Sequence, residues 1–160
     1  MLKRIISFLL FVFVFLSLFS CSENVYGHAE LVIPLADSYE ACEAENLDAA
    51  YEDGESVVGI IRISFDAAFN QGIPDSYMPE AFGKFYMKMA GRGNALIQRS
   101  GELAFAEYTD SQNSEGYYYL TAFYRSRYAY FVVLFSTEDS LREEKRAEFL
   151  SYAESVNFNY

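Results

Sequence analysis

The side chains that most often do covalent or metal chemistry in proteins are scarce in this sequence. Its 160 residues contain one histidine, His28, and two cysteines, Cys21 and Cys42. A Ser-His-Asp or Cys-His arrangement would have to use His28, which lies among small and polar residues and is a poor position for a preorganised general base. A structural zinc site needs four Cys or His ligands. The sequence therefore predicts no catalytic residues, no metal and no cofactor.

Cys42 and the acidic residues are the other candidates for chemistry. Cys42 is flanked by Glu40, Glu43 and Glu45, whose negative charges raise the pKa of a thiol, so we interpret Cys42 as inert. The acids between positions 40 and 55 lack the D-x-D-x-D-G order of a calcium loop, which favours a solvated face over a cation site. Hydrolysis by a pair of carboxylates stays open, because the sequence does not fix the distances between acids.

The N-terminal segment has the layout of a secretion signal. Lys3 and Arg4 precede an uncharged run of fifteen residues, Ile5 to Phe19, shorter than the roughly 20 that a membrane-spanning helix needs. At its end, Leu18-Phe19-Ser20-Cys21 resembles the lipobox of bacterial lipoproteins. The resemblance implies cleavage before Cys21, acylation of its thiol and anchoring to a membrane by the acyl chains. The alternative is an ordinary signal peptide that is cleaved nearby and leaves Cys21 as an incidental thiol.

Three segments follow from this interpretation: a signal peptide over residues 1–20, a tether over 21–28 and one domain over 29–160. The processed chain keeps 140 of 160 residues, enough for one hydrophobic core. Cleavage removes two basic residues and no acid, so the net charge changes from −11 to −13. Such a surface repels phosphate groups, which argues against nucleic acid and against a polybasic membrane patch. We expect a location in the bacterial cell envelope, on the periplasmic or the surface face, with the acyl chains on Cys21 as the membrane anchor.

The stretch from Gly116 to Thr137 carries β-branched and aromatic side chains almost without interruption. This composition predicts two long strands joined near Arg125-Ser126-Arg127. Side chains alternate across a strand, and in both strands the two alternating sets are apolar. A strand that is apolar on both sides is typical of a sheet covered by helices on each face.

Further strands are predicted at Glu30 to Leu35, Leu47 to Tyr51, Val57 to Phe65, Ala95 to Arg99 and Leu103 to Thr109. A helix is predicted from Met78 to Ala90, and a second one from a capping box of Ser140 and Glu143. Phe85 and Phe149 are expected under these helices, on opposite faces of one sheet, with Lys145 on the outer side of the second helix. The fold class is therefore α+β, an antiparallel sheet between helices.

The order of these elements is similar to that of PsbP-like proteins. The matching parts are the strand Val57 to Ile63, the helix after it, and the strand Tyr130 to Ser136 followed by a helix that closes in Ser155-Val156-Asn157-Phe158. The resemblance covers about 130 residues. It implies an antiparallel sheet between helices that is used for docking to protein partners rather than for catalysis.

The sequence is also rich in aromatic residues, with 14 Tyr, 15 Phe and no Trp. Tyrosine combines an apolar ring with a polar hydroxyl and suits surfaces that recognise other molecules. Tyr117, Tyr118, Tyr124 and Tyr128 lie toward the strand ends of the central hairpin, so we hypothesise that they form a binding surface. The alternative is that these rings only complete the core.

Two functions from different classes remain. The first is a lipid-anchored envelope protein that acts as a non-catalytic binding or docking module for a protein or glycan partner. The alternative is an envelope enzyme, a hydrolase that works through carboxylates. Two acids that converge in a concave pocket would favour the enzyme, and an exposed patch of tyrosines would favour the binding module.

Overall fold

The computed structural model describes residues 30–110 and 116–159, which form two sheets and three helices. The strands are β1 Glu30–Val32, β2 Glu40–Ala41, β3 Ala49–Glu52, β4 Ser56–Ser64, β5 Ile97–Ser100, β6 Leu103–Asp110, β7 Tyr117–Arg125, β8 Ala129–Glu138 and β9 Asn157–Asn159. Seven of them form one antiparallel sheet in the order β2-β3-β4-β8-β7-β6-β5. The other two, β1 and β9, pair with each other. The predicted α+β fold with an antiparallel sheet is confirmed.

The helices are α1 Phe65–Asn70, α2 Pro79–Met89 and α3 Arg142–Glu154. Helices α1 and α2 cover one face of the large sheet, and α3 covers the other together with the chain from β1 to Tyr39. None of the described helices is long and apolar enough to cross a membrane.

The predicted central hairpin is confirmed as β7 and β8. Phe123 and Val132 point to the face under α2, whereas Leu120, Val133 and Phe135 point to the face under α3. The side chains thus alternate as expected, and both sets are buried. Burial on both faces explains why the sequence of these two strands is apolar throughout.

Phe85 and Phe149 lie on opposite faces of the sheet, as predicted. Phe149 is fully buried, but Phe85 is only partly buried at the margin of its face. The central position under α2 belongs to Phe82, whose ring stacks on Tyr130 with the ring centroids 4.3 Å apart.

Two details of the predicted helices are wrong. No capping box forms, because α3 begins at Arg142 after a 3₁₀ turn over Asp139–Leu141, and the hydroxyl of Ser140 lies 3.5 Å from Glu138. Lys145 is buried on the inner side of α3, not on its outer side. Its position four residues before Phe149 places it on the buried stripe, and acidic partners compensate its charge there.

Three short elements were not predicted: helix α1 and strands β2 and β9. Helix α1 follows β4 directly, and its N-terminus is capped by Ser64, whose hydroxyl accepts a hydrogen bond from the Ala67 amide at 3.1 Å. Strand β9 pairs with β1 over three residues. Strands β2 and β9 depend on pairing with other strands, which local sequence patterns do not reveal, whereas Ser64 carried a local capping signal for α1.

One end of the large sheet carries the features that matter for function, and we call it the hairpin end. Here lie the β7–β8 turn, the β5–β6 turn, helix α1 and the C-terminus of α3. The β1–β9 pair also lies here, because the ring of Phe158 contacts the rings of Tyr124 and Phe131. The described chain therefore begins, at Glu30, at the hairpin end.

Candidate functional site

A cleft of about 560 Å³ opens at the hairpin end. It is formed where the β5–β6 turn, the last residues of β7, the end of α3 and β9 meet. Its lining comprises Pro79, Ser100, Gly101, Glu102, Leu103, Phe123, Tyr124, Arg125, Ala153, Glu154, Val156 and Phe158. Gly101 has a φ of 58°, a left-handed conformation that glycine adopts without strain and that allows the tight turn.

The wall of the cleft is aromatic and held in place by hydrogen bonds. The hydroxyl of Tyr124 donates to the carbonyl of Ala153 at 2.8 Å, which joins β7 to the end of α3. The Tyr124 ring meets Phe158 edge to face, with centroids 6.5 Å apart. Burial raises the pKa of the Tyr124 hydroxyl far above its usual range, so this group stays neutral.

Charged groups lie at the rim. The hydroxyl of Ser100 donates to a carboxylate oxygen of Glu154 at 2.5 Å, and Glu102 is exposed beside them in the β5–β6 turn. Arg125 is exposed as well and donates from Nε to the carbonyl of Asp75 at 2.8 Å. An apolar wall with a few convergent polar groups is the lining typical of ligand sites.

The predicted tyrosine surface does not form as one patch. Tyr117 and Tyr118 lie at the start of β7, whereas Tyr124 and Tyr128 lie at the hairpin end, about 23 Å away along the strand. Tyr117 and Tyr124 are partly buried, and Tyr128 is 37% exposed. The tyrosines at the hairpin end contribute to the cleft and to the surface beside it.

Tyr118 was expected to reach water, and that expectation is wrong. Its side chain is fully buried under α3, and its hydroxyl donates to Glu107 at 2.5 Å. Burial, the hydrogen bond to Glu107 and its negative charge together raise the pKa of the Tyr118 hydroxyl above its usual range. This ring fills the core and ties β7 to β6.

Glu107 is the centre of a polar cluster that the sequence did not predict. Its carboxylate accepts two hydrogen bonds from Arg146, at 2.7 and 3.0 Å, and one each from Tyr118 and Gln98. Burial alone would raise the pKa of the Glu107 carboxyl, but these hydrogen bonds and the charge of Arg146 outweigh it and hold the pKa below its usual range. The cluster attaches α3 to β6.

Lys145 forms a second such cluster. Its ammonium lies 3.1 Å from Glu55, 3.5 Å from Asp53 and 3.5 Å from Glu148. Burial disfavours the charged ammonium, but the hydrogen bond to Glu55 and the charges of Asp53 and Glu148 outweigh it and raise the pKa of Lys145. A lysine held in its charged form is a poor general base. This cluster attaches α3 to the β3–β4 turn.

The cysteines and the histidine offer no further site in the described part of the chain. Cys21 and His28 lie outside the described residues, as do the signal peptide and the tether. Cys42 is half-buried, and burial, with a smaller contribution from the charge of Glu52, raises the pKa of its thiol. Within residues 30–110 and 116–159, no three Cys, His, Asp or Glu side chains are placed to hold a metal ion.

The comparisons with known proteins support the fold. Neither a protein-family model nor a curated protein matches the sequence. Among solved structures, cyanobacterial PsbP (CyanoP) from Synechocystis sp. PCC 6803 is similar with a TM-score of 0.51 at 13% sequence identity. The match covers 88% of this chain and 98% of that one. The fold is PsbP-like.

A second similar structure is LpqN, a protein involved in cell envelope biogenesis of Mycobacterium tuberculosis. Its TM-score is 0.48 at 13% identity, and the match covers 84% of this chain and 86% of that chain. At 13% sequence identity, no residue role is carried over from either structure. The cleft is therefore interpreted from its own residues.

Apart from Tyr124, which was selected by residue type and position, the cleft residues could not be found from the sequence. Ser100 and Glu154 are 54 positions apart, and they meet only because α3 runs back along the sheet to the hairpin end. Glu102 has no sequence feature that distinguishes it from other acidic residues in turns. Only Gly101 carried a local signal, and that signal predicted the turn rather than a site.

Proposed function

We propose that this protein is a bacterial lipoprotein anchored in the cell envelope through Cys21, and that its PsbP-like domain is a non-catalytic binding module. The cleft at the hairpin end is its binding site. The observation that carries the proposal is the lining of this cleft, an aromatic wall of Tyr124 and Phe158 beside the acids Glu102 and Glu154.

The chemistry of the cleft favours a basic segment of a protein partner. Glu102 and Glu154 attract a cationic side chain, and the aromatic wall packs against its aliphatic stem. The acidic chain, with a net charge of −11 before processing, adds long-range attraction for a basic partner. A glycan partner would use the same aromatic wall but would not depend on the two negative charges.

The anchor is tested by replacing Cys21 with Ser. The variant should leave the membrane fraction and lose the acyl mass, while the matched control Cys42→Ser should keep both. Wild-type protein without acyl chains in mass spectrometry would contradict the anchor.

The cleft is tested by photo-crosslinking in intact cells, with a photoreactive residue in place of Val156, which lines the cleft. In this background, the pair Glu102→Lys and Glu154→Lys should reduce the crosslinked protein by about tenfold, the effect of about 1.4 kcal/mol. The control pair Glu43→Lys and Glu45→Lys makes the same charge change on a distant exposed loop and should not reduce it. If both pairs reduce crosslinking equally, the acidic rim of the cleft is excluded as the site that attracts the partner. A crosslinked glycan would exclude a protein partner.

A hydrolase is the second candidate, because Glu102 and Glu154 both line one concave cleft. Ser100 donates to Glu154, so this carboxylate already holds a hydroxyl group next to the cleft. The test is turnover of peptide, ester and glycan substrates by the purified protein. Turnover by the wild-type protein that is lost in Glu102→Gln or Glu154→Gln would show that the domain is an enzyme and not a binding module.

A further inference from the structure

Exposed apolar side chains are concentrated at the hairpin end. Among the described residues, five large hydrophobic side chains are exposed, and four of them lie there: Phe69 at 73%, Met78 at 68%, Val32 at 39% and Tyr128 at 37%. The fifth, Leu96, lies away from this end, just before β5. Clustered apolar exposure on a small domain indicates an interaction surface.

The backbone presents these side chains in fixed positions. The hydroxyl of Tyr130 donates to the carbonyls of Pro74 at 2.7 Å and Tyr77 at 3.0 Å, which holds the segment between Phe69 and Met78 on the sheet. Ala68, next to Phe69 in α1, is fully buried in the core between this helix and the sheet. The exposure of Phe69 and Met78 is therefore built into the fold.

The chain reaches this end from the predicted lipid attachment site. Glu30 pairs with Asn159 at the hairpin end, and Cys21 is nine residues earlier in the sequence. Nine residues span at most about 30 Å when fully extended. The large sheet is itself about 30 Å long along β8. With the opposite end on the membrane, the tether would use its whole reach only to pass the sheet.

We infer that the hairpin end rests on the phospholipid bilayer that holds the acyl chains; the inference depends on the lipid anchor of the proposed function. Phe69 and Met78 enter the boundary between headgroups and acyl chains, where apolar side chains of peripheral proteins bind. Tyr128 lies at headgroup level, the usual depth of tyrosine. This orientation places the cleft close to the membrane, within reach of a partner's membrane-proximal segment.

The charges at this end determine the kind of lipid contact. The exposed cations at this end are Arg125 and Arg127. Exposed acids offset them at the same end, namely Asp66, Asp75, Glu102 and Glu154. Docking is therefore apolar rather than electrostatic, and neither anionic lipid nor low salt should strengthen it.

A few apolar side chains suffice because the tether keeps the domain near the surface. A short linker gives an effective concentration on the order of 1 mM, so a surface affinity of about 1 mM already keeps half of the domains docked. Without acyl chains, the same surface would hardly bind a vesicle. The experiment must therefore use the full lipidated chain.

The test is fluorescence quenching by lipid in vesicles of phosphatidylcholine. In a Cys42→Ser background, two matched variants carry a fluorophore on a new thiol, Ser76→Cys at the hairpin end and Ser140→Cys at the opposite end; both serines are exposed. With a quencher on the lipid headgroup, the probe at position 76 should be quenched at least threefold more strongly than the probe at position 140.

The apolar residues are tested in the same system. Replacing Phe69 and Met78 together by Ser should remove the difference between the two probes, whereas Leu96→Ser, an equally exposed apolar residue elsewhere, should preserve it. Circular dichroism spectra and unfolding curves show whether each variant keeps its fold. Quenching that rises with phosphatidylglycerol and falls with salt would overturn the apolar mechanism.

Failure of this inference is distinguishable from failure of the proposed function. Protein without acyl chains in mass spectrometry contradicts the anchor, whatever the probes report. Acylated protein that floats with the vesicles but shows equal quenching at both positions keeps the anchor and overturns the orientation. The orientation is also overturned if the probe at position 76 is not quenched by the lipid quencher but is shielded by an added protein partner.

Discussion

The backbone of Gly83 lies directly against the ring of Phe123. A Cβ atom at Gly83 would lie 2.6 Å from Cδ2 of Phe123, closer than non-bonded carbon atoms approach. Phe123 is 1% exposed and is surrounded by the core under α2. Helix α2 can therefore reach the sheet at this point only without a side chain at position 83.

Gly83→Ala should consequently destabilise the protein. Alanine favours the helix by about 1 kcal/mol over glycine, but overpacking a rigid core costs about 1 to 3 kcal/mol, and we expect the overpacking to dominate. The control is Gly93→Ala, where the new Cβ would meet only Lys88 at 3.8 Å. Chemical denaturation measures the free energy of unfolding of both variants. A more stable Gly83→Ala variant would mean that α2 does not press on Phe123.

Truncation of core phenylalanines should distinguish the centre of each face from its margin. Phe82→Ala and Phe149→Ala each remove a fully buried ring and should cost about 3 to 5 kcal/mol in the free energy of unfolding. Phe85→Ala should cost less than either, because Phe85 is only partly buried. An equal loss at Phe85 would place that ring in the centre of the core.

Removal of the buried lysine should weaken the attachment of α3. Lys145→Met keeps the apolar stem but leaves Asp53, Glu55 and Glu148 without their cation, which should cost about 3 kcal/mol in urea denaturation. The matched control is Lys84→Met, which breaks an exposed ion pair with Glu80 and should cause a change too small to resolve. Equal stability of both variants would show that the buried cluster contributes no stability.

The lowered pKa of Glu107 predicts a loss of stability in acid. The unfolded carboxyl binds its proton near its usual pKa of 4.5, and the folded one binds it at lower pH. The contribution of Glu107 is therefore fully present above about pH 4.5 and is lost as the pH falls through the lower, folded pKa. Glu107→Gln should be less stable at neutral pH by about 2 kcal/mol and should respond less to acid below that pH.

Unfolding curves at several pH values check this prediction. Glu80→Gln serves as the comparison, because the exposed Glu80 also has a lowered pKa, caused by its hydrogen bond to Lys84. High salt should suppress the change in stability caused by the substitution at the exposed Glu80. It should leave most of the change caused by the substitution at the buried Glu107. If the loss of stability in acid is unchanged in Glu107→Gln, other carboxyl groups cause that loss.

The sequence predicted those parts of the fold whose signals are local. The run from Gly116 to Thr137 carries its strand pattern in its own composition, and β7 and β8 follow it closely. Helix α2 was predicted from its apolar spacing, with an end one residue from the observed Met89. Helix α1 was missed because Phe65 continues the apolar run of β4, although Ser64 carried a capping signal.

Apart from Tyr124, the candidate site was not predictable, because its residues meet through topology. Strand β9 has three residues and exists through its pairing with β1, more than 120 positions earlier in the chain. Phe158 therefore had no local signal for its place in the cleft wall. The tyrosines were selected by residue type and by position near strand ends, and that criterion does not distinguish the buried Tyr118 from the exposed Tyr128.

The antiparallel pair of β1 and β9 also determines how the domain responds to mechanical force. Glu30, where the predicted tether joins the domain, pairs with Asn159 at the end of a ladder of only three residue pairs. A pull on the tether loads this ladder from its end, so its pairs open one after another before the seven-stranded sheet is strained. Opening it also withdraws Leu31 and Ile33 from the α3 side of the core. The weakest mechanical element of the domain is thus the one to which the predicted tether connects.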